Sequence, residues 1–166
     1  SWVNRFYCYR AYGTILGPTS GSMGFGVPSG VAAKLTHPDR TVVVFAGDGE
    51  FMMTGQEFGT AVQHGANIIV LVGNNSMYGT IRMHQERDYP GRISGTDLVN
   101  PDFAAYAEAF GGHGGIVEKT EDFPAAFEAA VASGKPAIIE LRIDPDAVSP
   151  VATLSGLRKA ALEEGK

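Results

Sequence analysis

The chain predicts an α/β domain, a doubly wound, mostly parallel sheet with helices on both faces. Three observations carry that prediction. Thr41 to Ala46 is a short apolar run rich in β-branched residues, the composition of a strand buried on both faces, and Asn67 to Val72 and Pro136 to Ile143 are similar runs. Between these runs lie segments with helical spacing of apolar residues, punctuated by Pro and Gly. The alternation continues without an internal repeat, a low-complexity linker or a domain boundary, so one domain over residues 1–166 is expected.

Taken in order, Tyr12 to Leu16 is expected as a first strand. A helix over Met23 to Leu35 follows, entered through glycines and ended before His37-Pro38. Thr41 to Ala46 is the next strand, with Asp48 at its carboxyl end. Thr54 suits the cap of a helix running through Gln56, Glu57, Phe58, Ala61 and Val62, which His64-Gly65 closes. Asn67 to Val72 then carries Asn74 and Asn75 at its carboxyl end. Pro101 to Phe110 reads as a helix with Pro101 in its first turn, Phe103, Ala107 and Phe110 near one face, and Gly111-Gly112 as its stop. Ile116 and Val117 suggest a short strand, Glu121 to Ala132 a helix, and Pro136 to Ile143 the last strand. The tail after Pro145 is expected to be peripheral.

Composition narrows the class. With 44% hydrophobic residues the chain has material for a sizeable core. Thirteen basic and eighteen acidic residues give a formal net charge of −5, which argues against a nucleic-acid or anionic-membrane partner. No apolar run is long enough to span a bilayer, no secretory pattern follows Ser1, and the start without methionine suggests a fragment. The single Cys8 has no partner for an internal disulfide, consistent with a reducing cytoplasm.

Gly47-Asp48-Gly49 is the most informative stretch, because Asn74-Asn75 answers it after one more helix and one more strand. In open parallel sheets ligands bind outside the carboxyl ends of the strands, so Asp48 and Asn75 are expected to face one ligand from neighbouring strands. A carboxylate, an amide oxygen and a backbone carbonyl are hard donors that suit Mg²⁺, whose other ligands are usually water and phosphate oxygens. Gly47 and Gly49 allow close backbone approach, and free amides at a helix start favour anionic oxygen.

Gly47-Asp48-Gly49, the interval of residues 50 to 73 and Asn74-Asn75 resemble the cofactor signature of thiamine diphosphate-dependent enzymes. Gly21-Ser22-Met23-Gly24-Phe25-Gly26 resembles their pyrimidine-side loop. The resemblance runs from about Gly13 to Asp144 and is to the carboxyl-terminal, diphosphate-binding domain of the acetohydroxyacid synthase and pyruvate decarboxylase branch. It implies thiamine diphosphate and Mg²⁺ as cofactors, with Asp48, the Asn75 side chain and the Met77 backbone carbonyl on the metal. The cofactor-binding set that it implies is Gly21, Ser22, Met23, Gly47, Asp48, Gly49, Glu50, Asn75, Met77, Tyr78 and Gly79. Within that set Gly49 and Glu50 offer backbone amides to the diphosphate, Met23 is the apolar wedge that keeps the cofactor bent, and the Gly21 carbonyl accepts from its amino group. The implied substrate is a 2-oxo acid, decarboxylated or transferred to a second carbonyl. A pyrimidine-binding domain or subunit must supply the activating glutamate, so the chain alone is expected to be inactive, and the resemblance implies a homo-oligomer.

Residues 76 to 100 are the expected seat of specificity. Ser76 to Pro90 is polar and aromatic, and Gly91 to Asn100 reads as an irregular loop. His84 and Gln85 are the candidate catalytic side chains. His84 stands where acetohydroxyacid synthases carry a tryptophan, ten positions after the first asparagine of the pair, and an imidazole there is able to donate a hydrogen bond or move a proton. Arg82, Arg87 and Arg92 are either attractors of a substrate carboxylate or a solvated face. Without the resemblance, Asp48 is a turn or cap residue and Met23 is core packing. His37, His64 and His113 are not spaced for metal binding, and Cys8 reads as inert.

Two other function classes are open to the sequence. Gly24-Phe25-Gly26 with Gly30 resembles a variant dinucleotide-binding loop, with Asp48 as the ribose carboxylate of an NAD(P)-dependent oxidoreductase, although Pro28 and the asparagine pair have no work in that reading. A noncatalytic regulatory or assembly module is the third class, and the metal-ligand pattern argues against it.

Overall fold

The computed structural model describes residues 2–165. Its elements are α1 (Trp2–Phe6), α2 (Gly26–Thr36), β1 (Val42–Gly47), α3 (Asp48–Thr54), α4 (Glu57–Gln63), β2 (Ile68–Asn74), α5 (Gly79–Asp88), α6 (Phe103–Ala109), β3 (His113–Val117), a 3₁₀ turn (Thr120–Asp122), α7 (Phe123–Ala132), β4 (Ala137–Arg142), β5 (Ala147–Ser149), β6 (Ala152–Thr153) and α8 (Leu154–Glu163). Four strands form one parallel sheet in the order β1-β2-β4-β3. Helices lie on both faces, as the alternation of the sequence requires.

Strand parity divides the core. Val42, Val44 and Ala46 of β1, Ile68, Val70 and Val72 of β2 and Ile138 of β4 point to one face, where Val27 and Val31 of α2, Phe51 of α3, Phe58 of α4 and Phe103 of α6 cover them. Ile69, Leu71, Ala137 and Ile139 point to the other, beneath Phe123, Phe127 and Ala130 of α7. Phe51 meets Phe103 edge to face at 5.3 Å, and each fully buried Phe contributes on the order of 1.5–3 kcal/mol. In α2, Val27, Gly30 and Val31 recur at helical spacing, and Pro28 sits in the first turn, where its missing N–H is harmless.

The differences from the sequence reading have local causes. Tyr12 to Leu16 forms no strand: Gly13 adopts φ +68°, Tyr12 and Leu16 are exposed, and no neighbouring strand offers a ladder. The first described helix of the α/β unit starts at Gly26 rather than Met23. β1 is an edge strand covered on one face only, with Val43 and Phe45 exposed on the other, so its apolar run does not mean burial on both sides. Thr54 ends α3 instead of capping the next helix, because its hydroxyl donates to the Gly24 carbonyl at 2.8 Å. Pro101 precedes α6, whose cap is Asp102, accepting from Ala105 N at 2.9 Å. Residues 120–122 form a 3₁₀ turn before α7.

The tail is the largest correction. β5 and β6 pair antiparallel, Thr153 caps α8 by accepting from Gly156 N, and α8 packs along α5. The signal lay in Thr153 and Gly156, which a reading that stopped at the last apolar strand passed over.

α6 approaches β3 so closely that a Cβ at Gly114 would lie 2.3 Å from the Ala104 carbonyl oxygen. Gly114→Ala is therefore expected to lower stability by about 1–3 kcal/mol, the cost of overpacking against backbone. Urea unfolding of the variant beside the parent checks this, and an unchanged midpoint refutes it.

Candidate functional site

β1 and β2 run parallel with Gly47 opposite Gly73, so the residues that follow each strand emerge side by side. Asp48 opens α3 at the end of β1 and is only 3% exposed. Its Oδ1 accepts from Gly49 N at 2.9 Å and its Oδ2 from Asn100 Nδ2 at 2.8 Å. Among the described residues it makes no ion pair. A carboxylate in the first turn of a helix is favourably placed against the helix dipole, yet burial without a cation is costly.

The segment after β2 is held in one shape. Ser76 adopts φ +57°, the left-handed region that costs a non-glycine residue on the order of 1–3 kcal/mol, and its N–H and hydroxyl both donate to Asn74 Oδ1. Asn75 Oδ1 accepts from Met77 N at 3.3 Å, and Met77 O accepts from Gly79 N at 2.9 Å. Two glycines permit the packing: a Cβ at Gly79 would stand 2.9 Å from Asn75 Nδ2, and one at Gly49 would stand 2.5 Å from the Tyr78 ring. The Gly47-Asp48-Gly49 and Asn74 to Gly79 segments thus lock against each other. Asn75 and Met77 open onto a cleft of about 590 Å³ whose other walls include Asn100, Glu140 and Arg142.

The loop of residues 91–100 is tied down from two sides. Tyr78 N donates to Thr96 O, Leu98 N donates to Ser76 O, and Met77 bridges Asp97 in antiparallel fashion. Arg82 of α5, buried at 7% exposure, donates to Thr96 Oγ1 at 2.6 Å and Asp97 Oδ1 at 2.7 Å. Arg82 is therefore neither a free attractor of substrate nor part of a solvated face. Arg87 pairs with Asp88, and Arg92 lies over the Tyr89 ring. Gln85 donates to Ser94 O at 2.8 Å and accepts from Ser94 N and Thr96 Oγ1, whereas His84 is exposed on the outer side of α5.

The Gly21, Ser22 and Met23 loop stands apart from Asp48. Met23 is 45% exposed, Ser22 Oγ meets Ser20 Oγ, and the adjoining Gly24 packs on Met53 and Thr54 at the far end of α3, which at about 1.5 Å per residue is roughly 10 Å from Asp48. Glu50 Oε1 accepts from Gly26 N at 2.9 Å and so ties α3 to the start of α2, while its Oε2 is buried without a hydrogen-bond partner.

The comparison with known families decides among the classes that the sequence left open. The model described as "Thiamine pyrophosphate enzyme, C-terminal TPP binding domain" matches residues 1–141. The chain belongs to this family. This thiamine pyrophosphate-binding domain is 37% identical over 125 residues to the acetolactate synthase isozyme 2 large subunit of Escherichia coli K12, covering 75% of this chain and 23% of that protein. It is 36% identical over 146 residues to the mitochondrial acetolactate synthase catalytic subunit of Saccharomyces cerevisiae, covering 86% and 21%. Among solved structures it is similar to the Rhodococcus jostii RHA1 thiamine diphosphate-dependent 4-hydroxybenzoylformate decarboxylase, with a TM-score of 0.71 and 35% identity over 76% of this chain and 24% of that one. The chain thus spans about a quarter of the length of such relatives. Domains of this family take thiamine diphosphate with Mg²⁺.

The structure also shows why the dinucleotide reading of this thiamine pyrophosphate-binding domain fails. Its glycine loop is not preceded by a strand: residues 17–25 are irregular, so the strand–loop–helix geometry of a pyrophosphate-binding turn is missing. Among the described residues no three His, Cys, Asp or Glu side chains cluster as for a zinc-type metal, and no helix is long and apolar enough to cross a membrane.

Sequence reasoning missed Asn100, Glu140 and the Glu86–Arg158 pair. Asn100 was hidden in a loop, although an Asn-Pro dipeptide before a helix marks a fixed turn. Glu140 stood out as a charge flanked by Ile138, Ile139 and Leu141 in an apolar strand. Arg158 of α8 donates through Nε to Glu86 Oε2 at 2.7 Å and through Nη2 to Glu86 Oε1, and Gly91 N adds a bond to Oε2. These bonds, Arg158 foremost, hold the buried Glu86 carboxyl below its ordinary range despite the opposing effect of burial.

A depressed carboxyl pKa stabilises the fold above the unfolded glutamate value and loses that contribution as pH falls through the folded value. Arg158→Met is expected to cost about 1–3 kcal/mol near pH 7, below the figure for a wholly buried pair because Arg158 is half exposed. The acid-side loss of stability that Glu86 contributes should disappear with it. Urea unfolding of parent and variant from about pH 3 to about pH 7 reads both effects, and parallel curves refute the assignment.

Proposed function

We propose that Asp48, the Asn75 side chain and the Met77 carbonyl hold the magnesium of thiamine diphosphate, and that the domain serves a larger enzyme acting on a 2-oxo acid as a decarboxylase or an acetolactate synthase-like carboligase. The observation that carries this reading is the buried Asp48 carboxylate, which has no cation of its own and stands at the end of the strand beside the one that delivers Asn75. The donor set fits the ion. One carboxylate, one amide and one main-chain carbonyl are hard oxygen ligands that leave positions for water and phosphate.

When bound, the cofactor supplies a nucleophilic thiazolium carbon and the electron sink for loss of carbon dioxide. This chain's part is to bind and orient. Gly47, Gly49, Glu50, Tyr78 and Gly79 frame the diphosphate end, with open space where a side chain would stand at Gly47, while Gly49 and Gly79 let the two segments pack together against Tyr78 and Asn75. At the other end Gly21, Ser22 and Met23 meet the pyrimidine ring, Met23 as the wedge beneath the bent cofactor, and the roughly 10 Å length of α3 between Asp48 and the Gly24 contact is in keeping with one ligand reaching both. His84 and Gln85 are the candidate catalytic side chains, His84 exposed on α5 and able to move a proton, Gln85 acting through the loop that it pins.

The rest of the site belongs to a pyrimidine-binding domain or subunit, within an oligomer. Relatives four to five times as long support this, as do the large apolar side chains of Phe6, Tyr9, Tyr12, Leu16, Met23 and Phe45 left exposed.

Calorimetric titration with thiamine diphosphate, with and without Mg²⁺ and with NAD alongside, tests the reading. Magnesium-dependent binding is expected, and Asp48→Ala should weaken it by more than about 100-fold, beyond the range of outer-shell substitutions. Unchanged affinity in the variant, or binding of NAD alone, overturns it.

A further inference from the structure

A line of polar side chains crosses the carboxyl edge of the sheet from β4 to β1. Glu140 Oε1 accepts from Asn74 Nδ2 at 2.9 Å, Asn74 Oδ1 accepts from Asn100 Nδ2 at 2.9 Å, and the same Asn100 nitrogen donates to Asp48 Oδ2 at 2.8 Å. Glu140 is 2% exposed and Asp48 3%, so both ends of the line are buried carboxylates that only accept.

Those two ends fix every amide between them. Asn74 must turn its nitrogen to Glu140, and the Ser76 N–H, which only donates, demands an oxygen on the opposite side at 3.0 Å. Asn100 then faces acceptors on Asn74 and Asp48 and must present its NH₂ to both. Neither asparagine can flip without setting acceptor against acceptor or donor against donor. Glu140 is held in turn: Phe103 N donates to its Oε2, and Arg142 Nε to its Oε1. The Phe103 bond joins Glu140 to the start of α6, three residues beyond Asn100.

The consequence falls on Asp48. A carboxylate has about four lone-pair positions, and the Gly49 amide and Asn100 occupy one on each oxygen. The rest stay open in a fixed direction. We propose that Asn100 is a positioning residue for the cation site, orienting Asp48 under the control of Glu140 through Asn74. This rests on the magnesium reading above. None of Asn100, Asn74 and Glu140 is itself a ligand in that reading; they act by aiming the group that is.

The test has two arms. In the cofactor-free chain, the Asn100 side-chain amide is expected to exchange slowly with solvent in ¹⁵N-resolved spectra, and Glu140→Met, which reaches Asn100 through Asn74 and through the Phe103 N–H at the start of α6, should return it to the behaviour of a free amide. An Asn100 amide that exchanges freely in the parent, or is unmoved by the variant, overturns the relay whatever the cofactor does. In the second arm the parent and Asn100→Ala are titrated with Mg²⁺ at fixed thiamine diphosphate. Asn100 is half-buried and its replacement by Ala removes no core group, so Asn100→Ala keeps the test valid should Glu140→Met fail to fold. About a ten-fold loss of magnesium affinity is expected, with cofactor binding recovered at high Mg²⁺, which a general loss of stability does not produce. Magnesium-dependent binding by the parent with equal affinity in Asn100→Ala overturns the positioning role and leaves the magnesium reading standing. No magnesium-dependent binding by the parent overturns both.

Discussion

The in-register parallel pairing of β1 with β2 is the constraint on which the rest depends. Because Gly47 lies opposite Gly73, the two strand ends release their following residues at the same level, and Asp48 comes beside Asn74 without a long connection. A slip of one residue would turn Val44, Ala46, Val70 and Val72 out of the larger core, so hydrophobic burial enforces the same register that the site requires. The glycines at 49 and 79 complete the fit by letting the two post-strand segments touch through the Tyr78 ring and the Asn75 amide.

Around this point the structure relies on satisfied polarity more than on apolar contact. α5 buries Arg82 and Glu86, two charges one helical turn apart, and each is matched: Arg82 by Thr96 and Asp97, Glu86 by Arg158 and the Gly91 amide. Such partners act at fixed directions, so they hold residues 91–100 in one arrangement where a greasy contact would let the loop slide. The same logic governs the Glu140 to Asp48 line. It is also why α8 is part of the site's support: its Arg158 neutralises a carboxylate that α5 would otherwise bury unpaired.

The sheet is covered unevenly. α2, α3, α4 and α6 seal one face across β1, β2 and β4, but α7 reaches only the part of the other face formed by β2, β4 and β3. Val43 and Phe45 therefore stay exposed on an open parallel edge, an arrangement rarely left uncovered in α/β proteins. The relatives that this domain matches are about four times its length.

The sequence by itself determined the fold class, the strands of β1, β2 and β4 and the two motifs at their ends, because burial parity and the sharp turns allowed by glycine are local properties of consecutive residues. It also determined which oxygen donors stand near one another, since one helical crossover, which the structure splits into α3 and α4, and one strand between Asp48 and Asn74 leave little choice of geometry. Tertiary structure alone decided what surrounds them. Whether an apolar strand is central or at an edge depends on its neighbours, so β1 read as doubly buried and is not; whether Tyr12 to Leu16 forms a strand depends on a ladder partner. Arg82 read as a surface charge until Thr96 and Asp97, fourteen and fifteen residues on, closed over it. Asn100 and Glu140 gain their meaning from bonds that span 52 and 66 residues of sequence, a separation at which spacing carries no signal and only the packed chain brings donor to acceptor.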